Sequence, residues 1–427
     1  MKVLKSLLPL ILFCTVSSVY SQFTIDAELR PRFEYRHGYK TLFPDNTDPA
    51  AFVSQRTRLN FDFKSEKLHL FLSPQDVRVW GDVPQLNVAD ENGFSLHQAW
   101  GEFVLVSDLS LKIGRQEIVY DDQRFLGNVG WAQQGRSHDA AVFKYEPTAV
   151  KLHVGAAYNQ DAEALTGNIL TKNTYKSLQY AWFHKDWKNL NASFLFLNNG
   201  LQFIDEIEPA KSETRYSQTA GLHLKTAIAN FNFSSNLYYQ FGKDVLNNSL
   251  EAYLISLEAL YSANENLNVG LGGELLSGND YGSPANGKNK AFNPLYGTNH
   301  KFNGYMDYFY VGNHLNTVGL VDLYGNVKYN LSTKSKLQIA FHQFFSAADL
   351  KNNDSKNLGF EIDLVTSFKL SEFTNIQAGY SQFFTSNGIE MVKNNYDNNT
   401  NNWAWVMVTI NPNLFTWQKN NTETTNK

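Results

Sequence analysis

Cysteine is almost missing from this chain. Its single cysteine, Cys14, lies in an apolar run near the N-terminus, so residues 21–427 offer no disulfide, no thiol nucleophile and no Cys-ligated metal. Long hydrophobic runs are equally scarce. The stretch Leu7 to Val16, preceded by Lys2 and Lys5, is too short to anchor a bilayer, and with the small residues up to Ser21 it reads as a secretory leader, residues 1–21. Phe13 before Cys14 does not fit a lipoprotein signal. Proline numbers only 11 in 427 residues, and no composition break marks a linker. Basic charge is also short: 37 Lys+Arg face 41 Asp+Glu, and losing Lys2 and Lys5 with the leader makes the chain two units more negative. That balance argues against a nucleic-acid partner.

Catalytic signatures are missing too. There is no GxSxG, HExxH or P-loop pattern. Ser137, His138 and Asp139 stand in a row, but neighbouring strand residues face opposite sides and cannot form a triad. The scattered histidines, among them His69, His97, His153 and His342, read as strand residues rather than metal ligands. The reading is therefore of a chain without enzyme chemistry, cofactor or metal.

What is present is alternation. From Thr24 to Lys64, Asp26, Glu28, Arg30, Arg32, Glu34 and Arg36 take every second position, with Ile25, Ala27, Leu29, Pro31, Phe33 and Tyr35 between them. Ser54, Arg56, Arg58, Asn60, Asp62 and Lys64 then alternate with Val53, Gln55, Thr57, Leu59, Phe61 and Phe63. Period two places one set on each face of a strand. A soluble sandwich would bury the apolar face in a core, whereas a transmembrane barrel turns it to lipid and the polar face to a wet lumen.

The rest of the chain favours the barrel. Eighteen strand-like segments run from 24–36 to 402–411, most of them long enough to cross a membrane as tilted strands. Short turns such as Ser65 to Glu66 and Trp187 to Lys188 alternate with longer polar connections, the up-and-down pattern of outer-membrane barrels. Nine long and eight short connections put both termini at the short-turn end, expected to be periplasmic. The fold class expected is an all-β, antiparallel, up-and-down transmembrane barrel over residues 22–412, with a polar tail over 413–427. Ser73, Pro74 and Gln75 break phase and predict a bulge. The longest connection, Asn279 to Asn313, is long enough to serve as a lid or a fold-in constriction, and reads equally well as a plain surface loop.

Arginine is uneven. Nine of ten (Arg30, Arg32, Arg36, Arg56, Arg58, Arg78, Arg115, Arg124, Arg136) precede residue 137, leaving Arg215 alone beyond it. If even positions face the lumen, Arg30, Arg32, Arg56 and Arg58 make a cationic wall. Planar guanidinium forks suit carboxylates and phosphates, so the wall reads either as a solute site or as ion pairs with Asp26, Glu28, Glu34 and Asp62.

From Gln75 the motifs become specific: Gln75-Asp76-Val77-Arg78-Val79-Trp80-Gly81, Leu96-His97-Gln98-Ala99-Trp100, Gly114-Arg115-Gln116-Glu117, Asp122-Gln123-Arg124, Trp131, and Gly135-Arg136-Ser137-His138-Asp139. In this order they resemble the bacterial alginate-export family of outer-membrane barrels. The resemblance implies a monomeric 18-stranded barrel in a Gram-negative outer membrane, with an arginine-lined pore for an anionic uronate polymer. It points to Arg78, Arg115, Arg124 and Arg136 as pore-lining, with Asp76, Asp122 and Asp139 as their acidic company, beside the four arginines found by periodicity. Few arginines follow Arg136, a departure that leaves the polymer open. Expected partners are an anionic solute or polysaccharide and outer-membrane lipid, with room for periplasmic delivery proteins. A general diffusion porin, or a plugged barrel acting as adhesin or anchor, are the alternatives.

Overall fold

A computed structural model describes residues 21–86, 93–282, 287–351, 355–396 and 399–419. The leader expected at the N-terminus, up to Tyr20, and the end of the expected tail, 420–427, lie outside the described residues. Ser21 already belongs to the first strand, opposite Ser65.

Eighteen antiparallel staves close on themselves. Strand Ser21–His37 pairs with Ala50–Ser65 on one side and with the last stave on the other, so the sheet has no free edge. Each intervening strand pairs with its neighbours in sequence. The last stave is longer than the alternation suggests. Asn401–Ile410 is interrupted at Asn411 and Pro412 and resumes as Asn413–Gln418, whose residues pair with Gln22 to Asp26. The tail expected from residue 413 thus starts as strand, because the first stave still has unpaired backbone there to satisfy.

The register divides the two faces as the alternation requires. Arg30, Arg32, Arg56 and Arg58 are 5–9% exposed, whereas Leu29, Phe33 and Leu59 are 37–45% exposed, and Phe61 shares their face opposite Ile25. In the last stave, apolar on both faces, Trp403, Trp405 and Met407 turn inward and are buried while Val406 is exposed outside. A register shift between Ser73 and Pro74, against strand Phe94–Val106, marks the bulge; Pro74 has no N–H to donate to that ladder.

The eight short turns lie at one end with both described termini. At the other end two connections turn into the barrel instead of standing above it. The long one between Leu267–Leu276 and Leu320–Asn330 buries Phe292, Met306, Tyr308 and Phe309. The second, between Leu109–Gln116 and His138–Tyr145, buries Ile118, Arg124, Phe125, Leu126 and Gln133.

The lumen-spanning candidate site

The two inward segments meet in the lumen. Leu126 bridges Tyr296, the Gly127 amide donates to the Tyr296 carbonyl at 3.0 Å, and the Thr298 amide donates to the Gln123 carbonyl at 2.9 Å. The Trp131 ring stacks on His300 with centroids 4.6 Å apart, and Phe125 packs edge-on to Phe292. Each segment also has its own fastening to the wall, of opposite chemistry.

Residues 130–134 are held by the arginines of the first two staves. Arg30 donates to the carbonyls of Gly130, Trp131 and Ala132 and to the Gln133 side chain at 2.8–3.3 Å. Arg32 donates to the Trp131 carbonyl at 2.7 Å and lies 4.0 Å over its ring. Arg56 reaches the Gln133 carbonyl at 3.3 Å, and Arg58 that of Gln134 at 3.4 Å. Main-chain groups without a strand partner need acceptors and donors of this kind when buried. Three carboxylates serve this wall: Glu28 lies 2.5 Å from Arg56 and 3.8 Å from Arg30, Glu34 lies 2.9 Å from both Arg32 and Arg36, and Glu117, 2.8 Å from His97, acts on Arg58 from farther off. Asp62 instead takes His69 and Lys64, and Asp26 accepts from Asn413. The ion pairs expected of this wall are present at Glu28 and Glu34, and its guanidinium groups outnumber its carboxylates.

Residues 303–307 are held by acids on the opposite staves. The Asn303 amide donates to Glu274 at 2.9 Å and to Asp322 at 3.2 Å, and the Met306 main-chain amide donates to Glu361 at 2.8 Å. The Tyr305 amide reaches Asp363 at 3.4 Å, while His342 lies 3.0 Å from Asp322 and Ser381 donates to Asp363. The alternation read in the first hairpin does not single out these acids, although Glu361 and Asp363 alternate with Phe360, Ile362 and Leu364 in strand Asn357–Lys369. The segment's own Asp307 takes the Tyr39 hydroxyl at 2.7 Å and His300 at 2.9 Å. Burial pushes the Asp307 carboxyl up, but His300, Tyr39 and Lys40 together hold it below the usual range.

Of the residues that the motifs suggested, the structure brings three into the lumen. Arg124 is fully buried against Glu274 and Asn303. Asp122 accepts from the Asn236 side chain at 2.7 Å and from the Arg124 amide at 3.0 Å. Arg136 donates to the Gly297 carbonyl at 3.0 Å, tying the two segments, and burial lowers its guanidinium below the ordinary value.

The other four point away from the lumen, which corrects the expectation that they line it. Arg78 and Asp76 stand opposite Gln55 and Thr57, on the face of Leu29 and Leu59, and pair with each other at 2.6 Å. Arg115 and Asp139 are cross-strand partners on the outer face, paired at 2.9 Å and open to the surroundings. Strand parity is the reason. Within each of these staves the inward positions belong to Gln75, Gln116 and His138, all buried, and the charged neighbours fall on the opposite face. The same parity turns His138 and Asp139 apart, His138 bonding the Tyr175 hydroxyl at 2.9 Å while Asp139 faces out, and Ser137, just before strand His138–Tyr145, bonds the His97 ring at 3.1 Å.

A closed, lumen-containing barrel with apolar side chains outward is the architecture of an outer-membrane channel, and solved structures agree. Three from Pseudomonas aeruginosa share the fold. OccK11 (OpdR) has a TM-score of 0.59 at 12% identity, covering 92% of this chain and 96% of that one. OpdL has a TM-score of 0.61 at 13% identity, covering 92% and 99%, and OpdK with vanillate 0.58 at 12%, covering 93% and 99%. Among curated proteins, none matches the sequence. The profile of the alginate export family matches residues 21–402, and the chain belongs to that family. It is a porin-like β-barrel of the Gram-negative outer membrane, of a kind that passes solutes.

Proposed function

We propose that the channel passes an anionic solute, an acidic saccharide of uronate type, without chemistry, and that the arginine wall selects for it. The observation carrying this reading is the surplus of guanidinium groups over carboxylates at Arg30, Arg32, Arg56 and Arg58, where residues 130–134 narrow the lumen. Fixed charge at a constriction governs selectivity, whereas loop charges farther than about 8 Å across saline are screened. The chain's overall negative charge is then no obstacle. The guanidinium forks that hold main-chain carbonyls are also suited to pairing with passing carboxylates. OpdK, a structural neighbour at low identity, was solved with vanillate, which is compatible with small anions in barrels of this shape. Passage as a monomer, with periplasmic delivery proteins supplying the solute, belongs to the same reading.

Planar-bilayer recording tests it. The parent pore is expected to be anion-selective and to be blocked more strongly by a uronate oligomer than by a neutral oligosaccharide of equal length. Arg56→Glu with Arg58→Glu should shift the reversal potential towards cations, while Arg56→Gln with Arg58→Gln reports how far the change comes from loosening residues 130–134. Cation selectivity in the parent, unchanged by either pair, would make the wall structural. A second reading, a barrel plugged as an anchor, is favoured by the contact between the two inward segments, and it predicts no conductance at all.

A further inference from the structure

Lysine looks evenly spread along the chain, yet the fold gathers four lysines from separate elements. Between the short turn at Lys188–Asn189 and the inward residues 301–305 lies a cavity of about 850 Å³, on the wall opposite the arginines. Lys188 comes from that turn, Lys225 from strand Glu213–Ile228, Lys301 from the long inward segment and Lys328 from strand Leu320–Asn330. The Lys301 amine donates to the Asp122 carbonyl at 2.9 Å. Among the described residues, the side chains of Lys188, Lys225 and Lys328 have no hydrogen-bond or ion-pair partner.

Four acids line the same cavity, and of these Glu274 is paired with the Arg124 guanidinium. Asp122 is held by Asn236, Glu274 by Arg124 and Asn303, and Asp322 by His342 and Asn303. Glu258 accepts the Tyr324 hydroxyl at 3.4 Å. On the arginine side two inward lysines are paired with acids, Lys64 at 3.0 Å from Asp62 and Lys144 at 2.9 Å from Glu102, while Lys112 lies 3.7 Å over the Trp100 ring. With Arg124 set against Glu274, the four lysines face Asp122, Glu258 and Asp322, the last with His342 at 3.0 Å, and a surplus of cationic groups in a walled recess concentrates anions. Lysine amines are mobile point charges without the geometric demand of a guanidinium fork, which suits holding a flexible polyanion weakly enough to release it.

We propose that this vestibule, which opens towards the end carrying both termini, is a second anion site that holds a carboxylate-bearing oligosaccharide before or after the arginine constriction. The assignment rests on the anionic reading of the channel for its ligand, but its charge is measurable without transport. Residues 21–427 contain no cysteine, so Ser234→Cys at the cavity wall gives one reporter besides Cys14 in the full-length protein in liposomes, with the parent as the labelling blank. An anionic methanethiosulfonate should label it about tenfold faster than a cationic one of similar size. Adding Lys225→Gln, Lys301→Gln and Lys328→Gln should bring the ratio near one, with folding checked by heat-modifiable gel migration. A uronate tetramer should slow labelling of the Ser234→Cys protein, and a neutral maltotetraose should not. Equal labelling rates, a ratio unmoved by the lysine changes, or no protection by the uronate would overturn the site. The two readings fail separately: absent bias in an anion-selective parent removes the vestibule alone, whereas cation-selective conductance with bias and protection intact removes the arginine selectivity and leaves the vestibule.

Discussion

Two arginines from neighbouring motifs show how far residue type alone underdetermines role. Arg115 pairs with Asp139 on the outer face with much of both side chains open, and such pairs contribute about 0–1 kcal/mol. Arg115→Ala is accordingly expected to leave both conductance and urea stability near the parent's. Arg124 lies fully buried beside Glu274 and Asn303. Removing one partner of a buried pair leaves the other charge without compensation, at a cost of about 3–5 kcal/mol. Arg124→Ala should lower the midpoint of urea unfolding in detergent or vesicles by a corresponding amount, and Arg124→Ala with Glu274→Gln should recover part of it. Equal effects of Arg115→Ala and Arg124→Ala would contradict the burial assigned to each.

At the scale of elements, the two inward segments are the parts whose movement would change the pore. Residues 130–134 end at Gly135, which has a φ of +65°, and a Cβ there would stand 2.8 Å from the His97 ring and 2.9 Å from an Arg58 nitrogen. Gly135→Ala combines an unfavourable backbone with displacement of one clasping arginine, so it is expected to cost about 1–3 kcal/mol and to raise single-channel conductance as the segment loosens. Unchanged conductance with lowered stability would mean that residues 130–134 do not limit the pore. The other segment carries a pH dependence through Asp307. Its carboxyl is held below the usual range in the fold, so the stability it supplies is complete above about pH 3.9, the ordinary aspartate value, and is lost as pH falls through the lowered native value. Trp131, stacked on His300 beside Asp307, should change fluorescence across that acid range in the parent. Asp307→Asn should remove that step, with Trp131→Phe identifying the signal.

For the whole molecule, closure is the property to test. The last stave joins the first in two parts, Asn402 to Ile410 against Leu29 to His37 and Asn413 to Gln418 against Gln22 to Asp26. Ending the chain at Pro412 would keep the first set and leave the backbone of Gln22 to Ile25 unpaired on one side. Such a chain should still form the barrel but convert to the unfolded gel form at a lower temperature than the parent. Loss of all folded protein would mean that the second part is needed to close the sheet at all.

The alternation of short and long connections among eighteen segments pointed to an antiparallel barrel, and period two along Thr24 to Lys64 determined by itself the two faces of the first hairpin, because strand side chains alternate whatever their neighbours do. It also determined that Arg30, Arg32, Arg56 and Arg58 share one face, and the ordered motifs carried the family. The destination of Arg78 and Arg115 was legible only if parity was applied to their own strands as strictly as to the first hairpin: motif membership placed them in the pore, and the register placed them outside. Only the tertiary structure decided what the inward face meets. Which loops fold into the lumen, which carbonyls Arg30 and Arg58 clasp, and that Lys188, Lys225, Lys301 and Lys328 converge all depend on contacts between residues far apart in the chain. Local alternation fixes the side a residue faces, and closure of the sheet fixes what lies opposite.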